Sequence, residues 1–152
     1  MGDVKSIAEY ENDPLLALCN YWLSADIMHS LLHDMRDDFF AEEEGGETLW
    51  PEFRTYYSFW LSALYVVAEG FQELKLRSPT IQKKIAAHID ELRVFRNGTF
   101  HFQRSHTKQL RMLDGQAARL NWAEDLHTSF GRFLKRHVYR NIREVARNYG
   151  RA

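Results

Sequence analysis

The chain has 152 residues, of which 45% are hydrophobic and 14% aromatic, enough for one globular domain with a real core. A single cysteine, Cys19, excludes an internal disulfide framework, and the longest apolar stretch, Phe59 to Ala68, is about half of the ~20 residues a membrane span requires. Net charge is only −1, but it is unevenly spread: Met1 to Leu92 carries 7 basic and 17 acidic residues (−10), and Arg93 to Ala152 carries 13 basic and 4 acidic (+9). Such a division suits a polyanion-binding second part, or two parts that neutralise one another within the fold or across a dimer. No basic head followed by an apolar run opens the chain, so the expected location is cytoplasmic, with no membrane partner.

Residues 1–12 are polar and expected to be loose. Asp13 followed by Pro14 is a helix start, with Asp13 as cap and the proline in the first turn, where its missing N–H is harmless. From there to about Phe40, the residues Leu15, Leu18, Cys19, Trp22, Ala25, Met28 or His29, Leu32 and Met35 recur at spacings of three and four, the stripe of a core-facing helix. Asp34, Asp37, Asp38 and Glu42 to Glu44 oppose the dipole at its end and predict fraying into a Gly45-Gly46 loop. His29 and His33 lie one turn apart, as metal ligands can, and Asp26-x-x-His29 and Glu124-x-x-His127 faintly echo di-iron bundles. That architecture needs two Glu-x-x-His helices and two more inward glutamates. One proper copy and Glu69 fall short, so no metal site is expected.

Pro51 is read as opening the second helix. Phe53, Tyr56, Tyr57, Phe59, Trp60, Leu61, Leu64, Tyr65, Val66 and Val67 make it apolar on nearly every side, hence central to the core or covered by a second subunit. Gly70, near its end, permits close helix contact. Ser78 and Pro79 repeat the cap-then-proline start, so all three prolines are expected at helix openings. In this third helix Ile81, Ile85, Ile89 and Leu92 form an apolar stripe that, one turn on, reaches Phe95 or Arg96.

The stretch Leu-Arg-Val-Phe-Arg-Asn-Gly-Thr-Phe-His-Phe-Gln, from Leu92 to Gln103, sets Arg96, Asn97 and His101 among aromatic residues. A permanently charged arginine beside a histidine that titrates near neutrality suits a phosphate to be gripped and a proton to be moved. Five residues along an ideal helix turn by roughly 140°, which would part the two side chains. Gly98 offers a kink or an end that swings His101 round; alternatively the helix continues, and Arg96 meets the histidine of a second copy. Thr99 and Gln103 are second-rank candidates. Arg104 to Met112 reads as a connector, Asp114-Gly115 as a turn, and Gln116 to Asn148 as the last helix. Its apolar seam is Leu120, Ala123, Leu126 or His127, Phe130, Phe133 or Leu134, Val138, Ile142 and Val145. Arg104 with Arg132, Lys135, Arg136, Arg140 and Arg143 forms a candidate RNA-binding set.

The Arg96-Asn97 pair, followed by three residues and His101, after a helix ending Glu-Leu-Arg, resembles the HEPN superfamily, whose signature is Arg, a polar residue, three further residues and His. The resemblance implies an all-α bundle of four or five helices in up-and-down order, forming a homodimer. It implies metal-independent endoribonuclease activity without a cofactor, with Arg96 and His101 of both subunits brought together on RNA. It admits a protein antitoxin or other regulator as a further partner. Where some HEPN toxins carry a modifiable tyrosine, two residues after the histidine, this chain has Gln103. Arg132 and His137 repeat the spacing with Phe133 in the polar position, and are read as coincidence. The competing expectation is a non-catalytic helical module that binds RNA, a nucleotide or a protein through the same patch.

Overall fold

The computed structural model describes residues 12–41, 46–105 and 121–149, with side chains described for 12–35, 51–105 and 121–138. Residues 1–11, the Glu42 to Gly45 stretch, most of the connector and the Asp114-Gly115 turn lie outside the described residues. Four helices account for nearly all that is described: α1 (Pro14–Ala41), α2 (Gly46–Glu73), α3 (Pro79–Phe100) and α4 (Asn121–Tyr149). No strand occurs among the described residues. None of the described helices is long and apolar enough to cross a membrane.

Local chemistry explains most of the boundaries. The Asp13 carboxylate accepts the Leu15 N–H at 2.9 Å, capping α1 as its position before Pro14 requires. Ser78 precedes Pro79 in extended backbone, but its side chain makes no capping bond; its carbonyl instead accepts the Gln82 N–H at 2.9 Å. Pro51 departs from expectation, because α2 begins five residues earlier, at Gly46, and the proline lies inside it. The cost is the one backbone bond that Pro51 cannot donate to the carbonyl four residues earlier; the Thr55 hydroxyl donates to the Pro51 carbonyl itself, at 2.7 Å, and does not replace that bond. At its other end α2 closes with Leu76 N–H on the Phe71 carbonyl, and Lys75 takes the left-handed conformation (φ 52°) usually given to glycine.

Neighbouring helices run antiparallel. Leu18, near the start of α1, abuts Gly70, near the end of α2. Ser62 of α2 meets Thr99 at the end of α3, Lys84 of α3 meets Ser129 of α4, and His29 of α1 meets Glu124 of α4. The expected stripes supply the core. Leu18, Trp22, Ala25 and Leu32 come from α1; Ile81, Ile85, Leu92 and Phe95 from α3; Ala123, Leu126, Phe130, Leu134 and Val138 from α4. Helix α2 contributes most, with Tyr57, Trp60, Leu61, Leu64, Tyr65, Val67, Ala68 and Phe71 all buried. Full burial of a side chain of this size is worth about 1.5–3 kcal/mol, so the central helix is held mainly by what surrounds it.

Two glycines mark close approaches of unequal rigidity. A Cβ on Gly70 would lie 2.8 Å from the terminal Cδ1 of Leu18, which can rotate away; on Gly131 it would lie 2.6 Å from Cζ2 of Trp22. That indole is buried, and its Nε1 donates to the His127 carbonyl at 3.4 Å. Replacing a helical glycine by alanine gains about 1 kcal/mol of propensity, whereas overpacking a rigid neighbour costs about 1–3 kcal/mol. Gly70→Ala is therefore expected to leave stability unchanged or raised, and Gly131→Ala to lower it, in urea denaturation of the two variants. Equal effects would mean that Trp22 is not pinned.

Candidate functional site

Helix α3 carries its regular hydrogen bonding through Asn97 and Gly98 to Phe100, so Gly98 neither kinks nor ends it. The last turn is held from outside. The Thr99 hydroxyl donates to the Phe95 carbonyl at 2.8 Å, and Ser62 of α2 reaches the Thr99 Oγ1 at 2.9 Å. The ring of Phe100 packs edge-on against Phe59 with centroids 5.7 Å apart. These contacts outweigh the roughly 1 kcal/mol a helical glycine costs. Thr99 is thereby committed to fastening α3 on α2.

The turn comes at His101, which is extended (φ −128°, ψ 137°) and whose N–H closes the helix on the Asn97 carbonyl at 3.0 Å. Leaving the helix cancels the 140° separation. Arg96 Nη1 lies 2.9 Å from His101 Nε2 and 3.1 Å from Asn97 Oδ1. A guanidinium only donates, so His101 Nε2 accepts and its ring proton sits on Nδ1. Asn97 holds the arginine with its side chain and the histidine with its backbone. Gln103 Nε2 donates to the Asn97 and His101 carbonyls at 3.4 and 3.5 Å and so braces the loop.

Arg96, Asn97 and His101 are thus assembled within one chain, on an open surface. Arg96 and Asn97 are half-buried and His101 is exposed. Phe95, which takes the inward place on the stripe, is buried. Phe100 and Phe102 stand out into solvent, Phe102 at 92% exposure, so the aromatic neighbours flank the pair instead of enclosing it. Arg104 is exposed in the same loop.

The basic residues of α4 whose side chains are described are not brought to this place. Phe133 packs on Phe71 at the far end of α2, while His88 of α3 stacks on Trp122 at the start of α4. Arg132, Lys135 and Arg136, all exposed, therefore sit toward the opposite end of the bundle, roughly 25 Å along the axis at 1.5 Å per residue. Lys135 Nζ also lies over the Trp22 ring, 5.6 Å from its centroid. The side chains of Arg140 and Arg143 lie outside the described residues. His137 Nδ1 donates to the Phe133 carbonyl within its own helix, 2.8 Å away, rather than joining Arg132.

A second cluster lies on the other face of α2. Trp60 is fully buried, and its Nε1 donates to His127 Nδ1 at 3.2 Å. An indole N–H is only a donor, so His127 Nδ1 must accept, its proton lies on Nε2, and that N–H donates to Asp26 Oδ1 at 2.9 Å. Burial pushes the His127 imidazolium down from the ordinary histidine range, against the opposing pull of Asp26. His29 stacks on His127 with centroids 4.5 Å apart and lies 2.5 Å from Glu124 Oε2 through Nε2, with His33 Nε2 3.7 Å from Glu124 Oε1. Burial alone raises the Glu124 carboxyl, but the His29 hydrogen bond and the adjacent histidines outweigh it and hold the group below its ordinary range. The spacings of Asp26 to His29 and Glu124 to His127 were visible in the sequence; their meeting across two helices was not.

Family models, curated proteins and solved structures were each compared with the chain, and none matches. The two clusters therefore rest on their own geometry. Removing the Trp60 donor leaves a buried acceptor unpaired, at about 1–3 kcal/mol, whereas Asp26 can be exchanged for another acceptor. Trp60→Phe is expected to lose at least that amount in chemical denaturation, and Asp26→Asn less than about 1 kcal/mol. A Trp60→Phe variant as stable as the parent would refute the assigned tautomer.

Proposed function

We propose that this chain is a metal-independent endoribonuclease of the HEPN type, acting through Arg96 and His101. The observation that carries the reading is the 2.9 Å contact between Arg96 Nη1 and His101 Nε2 on a solvent-open surface. In the free protein the arginine occupies the lone pair that a general base uses. A phosphodiester that takes the guanidinium as its own partner releases that lone pair and places a 2′-hydroxyl beside it. His101 Nε2 then accepts the hydroxyl proton as the 2′-oxygen attacks phosphorus. The bond to the 5′-oxygen breaks, leaving a 2′,3′-cyclic phosphate. Arg96, oriented by Asn97, stabilises the charge gathering on the phosphoryl oxygens.

The leaving 5′-oxygen needs a proton at the same moment, and one exposed histidine fills only one of the two roles. A homodimer with its two-fold axis near the motif supplies the second, the partner's His101 acting as acid. The exposed pair of Phe59 and Phe100, with the exposed Phe102 two residues on, offers apolar surface for that axis, whereas most of the aromatic content of α2 is consumed in the core. RNA that also uses Arg132 and Arg136 must extend along the bundle toward its far end.

The test is cleavage in EDTA, with the helical circular-dichroism signal checked in the same buffer. The expected products carry 2′,3′-cyclic phosphate ends, and His101→Ala and Arg96→Ala each lower the rate by at least about 10²-fold with helicity intact. His137→Ala is expected to cleave normally. Charge reversal at Arg132 and Arg136 is expected to weaken the salt-dependent binding of long RNA without changing cleavage of a dinucleotide, because the two places are far apart. Light scattering is expected to give twice the chain mass, and mixed Arg96→Ala and His101→Ala subunits to regain some activity. Binding of RNA that stays intact after long incubation would favour the non-catalytic module.

A further inference from the structure

The seam between α1 and α4 gathers Asp26, His29, His33, Glu124 and His127, in two overlapping triads that share His29, with the donor atoms of each triad within 4.8 Å of one another. The hydrogen bonding separates the triads. His127 Nδ1 is taken by the Trp60 indole and its Nε2 carries a proton given to Asp26, so neither nitrogen has a lone pair for an ion. His29 Nε2 likewise gives a proton to Glu124, but among the described residues nothing holds its Nδ1, so the ring can move that proton to Nδ1 and free Nε2 for an ion, which Trp60 forbids to His127.

We propose that His29, His33 and Glu124 form a binding site for a borderline divalent transition ion of the zinc class. The two histidines project from successive turns of α1, and Glu124 faces both from α4. A tetrahedral ion with bonds of about 2.0–2.1 Å sets its ligand atoms roughly 3.3 Å apart. His29 Nε2 and Glu124 Oε2 stand at 2.5 Å, His33 Nε2 and Glu124 Oε1 at 3.7 Å, and the three donor atoms all fall within 4.8 Å of one another, so side-chain adjustments of up to about 1.5 Å admit the ion. Among the described residues, Glu124 has only histidines as polar partners; the nearby Lys84 is engaged by Asp125 at 2.7 Å and by Ser129. A half-buried carboxylate beside two imidazoles is left with no fixed cation, which is the charge an ion supplies.

The supporting groups are in place as well. The Trp60, His127 and Asp26 chain locks the His127 ring, and that ring stacks on His29 and fixes its plane, the kind of outer support that orients metal-bound histidines. His33 is 45% exposed, so a fourth position faces solvent and is open to water. Two nitrogens and one carboxylate select against magnesium and calcium, which require oxygen-rich shells. The site is separate from Arg96 and His101, and the cleavage proposed there neither needs nor supplies this ion.

The experiment is titration of the chelator-stripped full-length chain with zinc alone by calorimetry. The expected result is one zinc per chain with low-micromolar or tighter affinity, and no binding of magnesium or calcium. Because His33 is largely exposed, His33→Ala is expected to fold as the parent does and to bind zinc about 100-fold more weakly or worse, as is Glu124→Gln. His88→Ala and His137→Ala are expected to bind unchanged. Cobalt in place of zinc is expected to give visible ligand-field bands without a thiolate charge-transfer band, since Cys19 is no ligand. Zinc is expected to raise the melting temperature of the parent but not of His33→Ala. Affinity weaker than about 100 μM, or undiminished binding by His33→Ala, overturns the site, and the latter decides the matter even where Glu124→Gln fails to fold.

Discussion

The bond from Trp60 Nε1 to His127 Nδ1 is the constraint on which the arrangement turns. A helix as apolar as α2 can lie at the centre only if its polar atoms find partners there, and the Trp60 N–H, with its side chain wholly buried, is the hardest of them to satisfy. His127 accepts it from α4, passes its own N–H to Asp26 on α1, and thereby joins three helices at one level of the bundle. On the other face of α2, Ser62 and Phe59 fasten the end of α3 through Thr99 and Phe100. The same two turns of α2 therefore hold both polar clusters apart. One is half-buried against α1 and α4; the other stands in solvent at the end of α3.

That separation gives the two clusters different chemistry. In the Trp60, His127 and Asp26 chain, donors and acceptors alternate with no proton left over, which makes a rigid support and a poor acid–base catalyst. In the proposed reading, the bond between Arg96 and His101 is one that a competing anion breaks, because a half-buried guanidinium open to solvent gains a better partner in a phosphodiester than in an imidazole. The Asn97 side chain holds the arginine at this place, accepting from Arg96 Nη1 at 3.1 Å. That openness, with two protruding phenylalanines beside one held cation, is why the proposed ligand is a flexible polyanion with stackable bases and not a compact metabolite that needs enclosure.

Helical stripes were legible because burial imposes a period. Leu18, Trp22, Ala25 and Leu32, or Ile81, Ile85 and Leu92, had to face one way, and they do. The Asp13 cap was legible for an equally local reason. Pro51 misled because the helix extends five residues before it and bears the one missing backbone bond, which the local sequence does not announce. Arg96 and His101 were readable as a pair, but the device that unites them is the end of α3 at Phe100, set by contacts from α2 that no local pattern announces. Register between helices was the least visible quantity. It brings Glu124 to His29, although neighbouring spacings made each look incomplete alone, and it carries Arg132, Lys135 and Arg136 away from the site that their charge alone seemed to serve.

The proposed function requires that phosphate be taken up at Arg96 and His101 and not at the histidines between α1 and α4. Its most direct test is nuclear magnetic resonance of the histidine side chains in metal-free protein titrated with a ribonucleoside 3′-monophosphate. The His101 ring resonances are expected to shift with saturation, the shift to vanish in Arg96→Ala, and those of His29, His33 and His127 to stay in place. Movement of the latter three with His101 unchanged would contradict it.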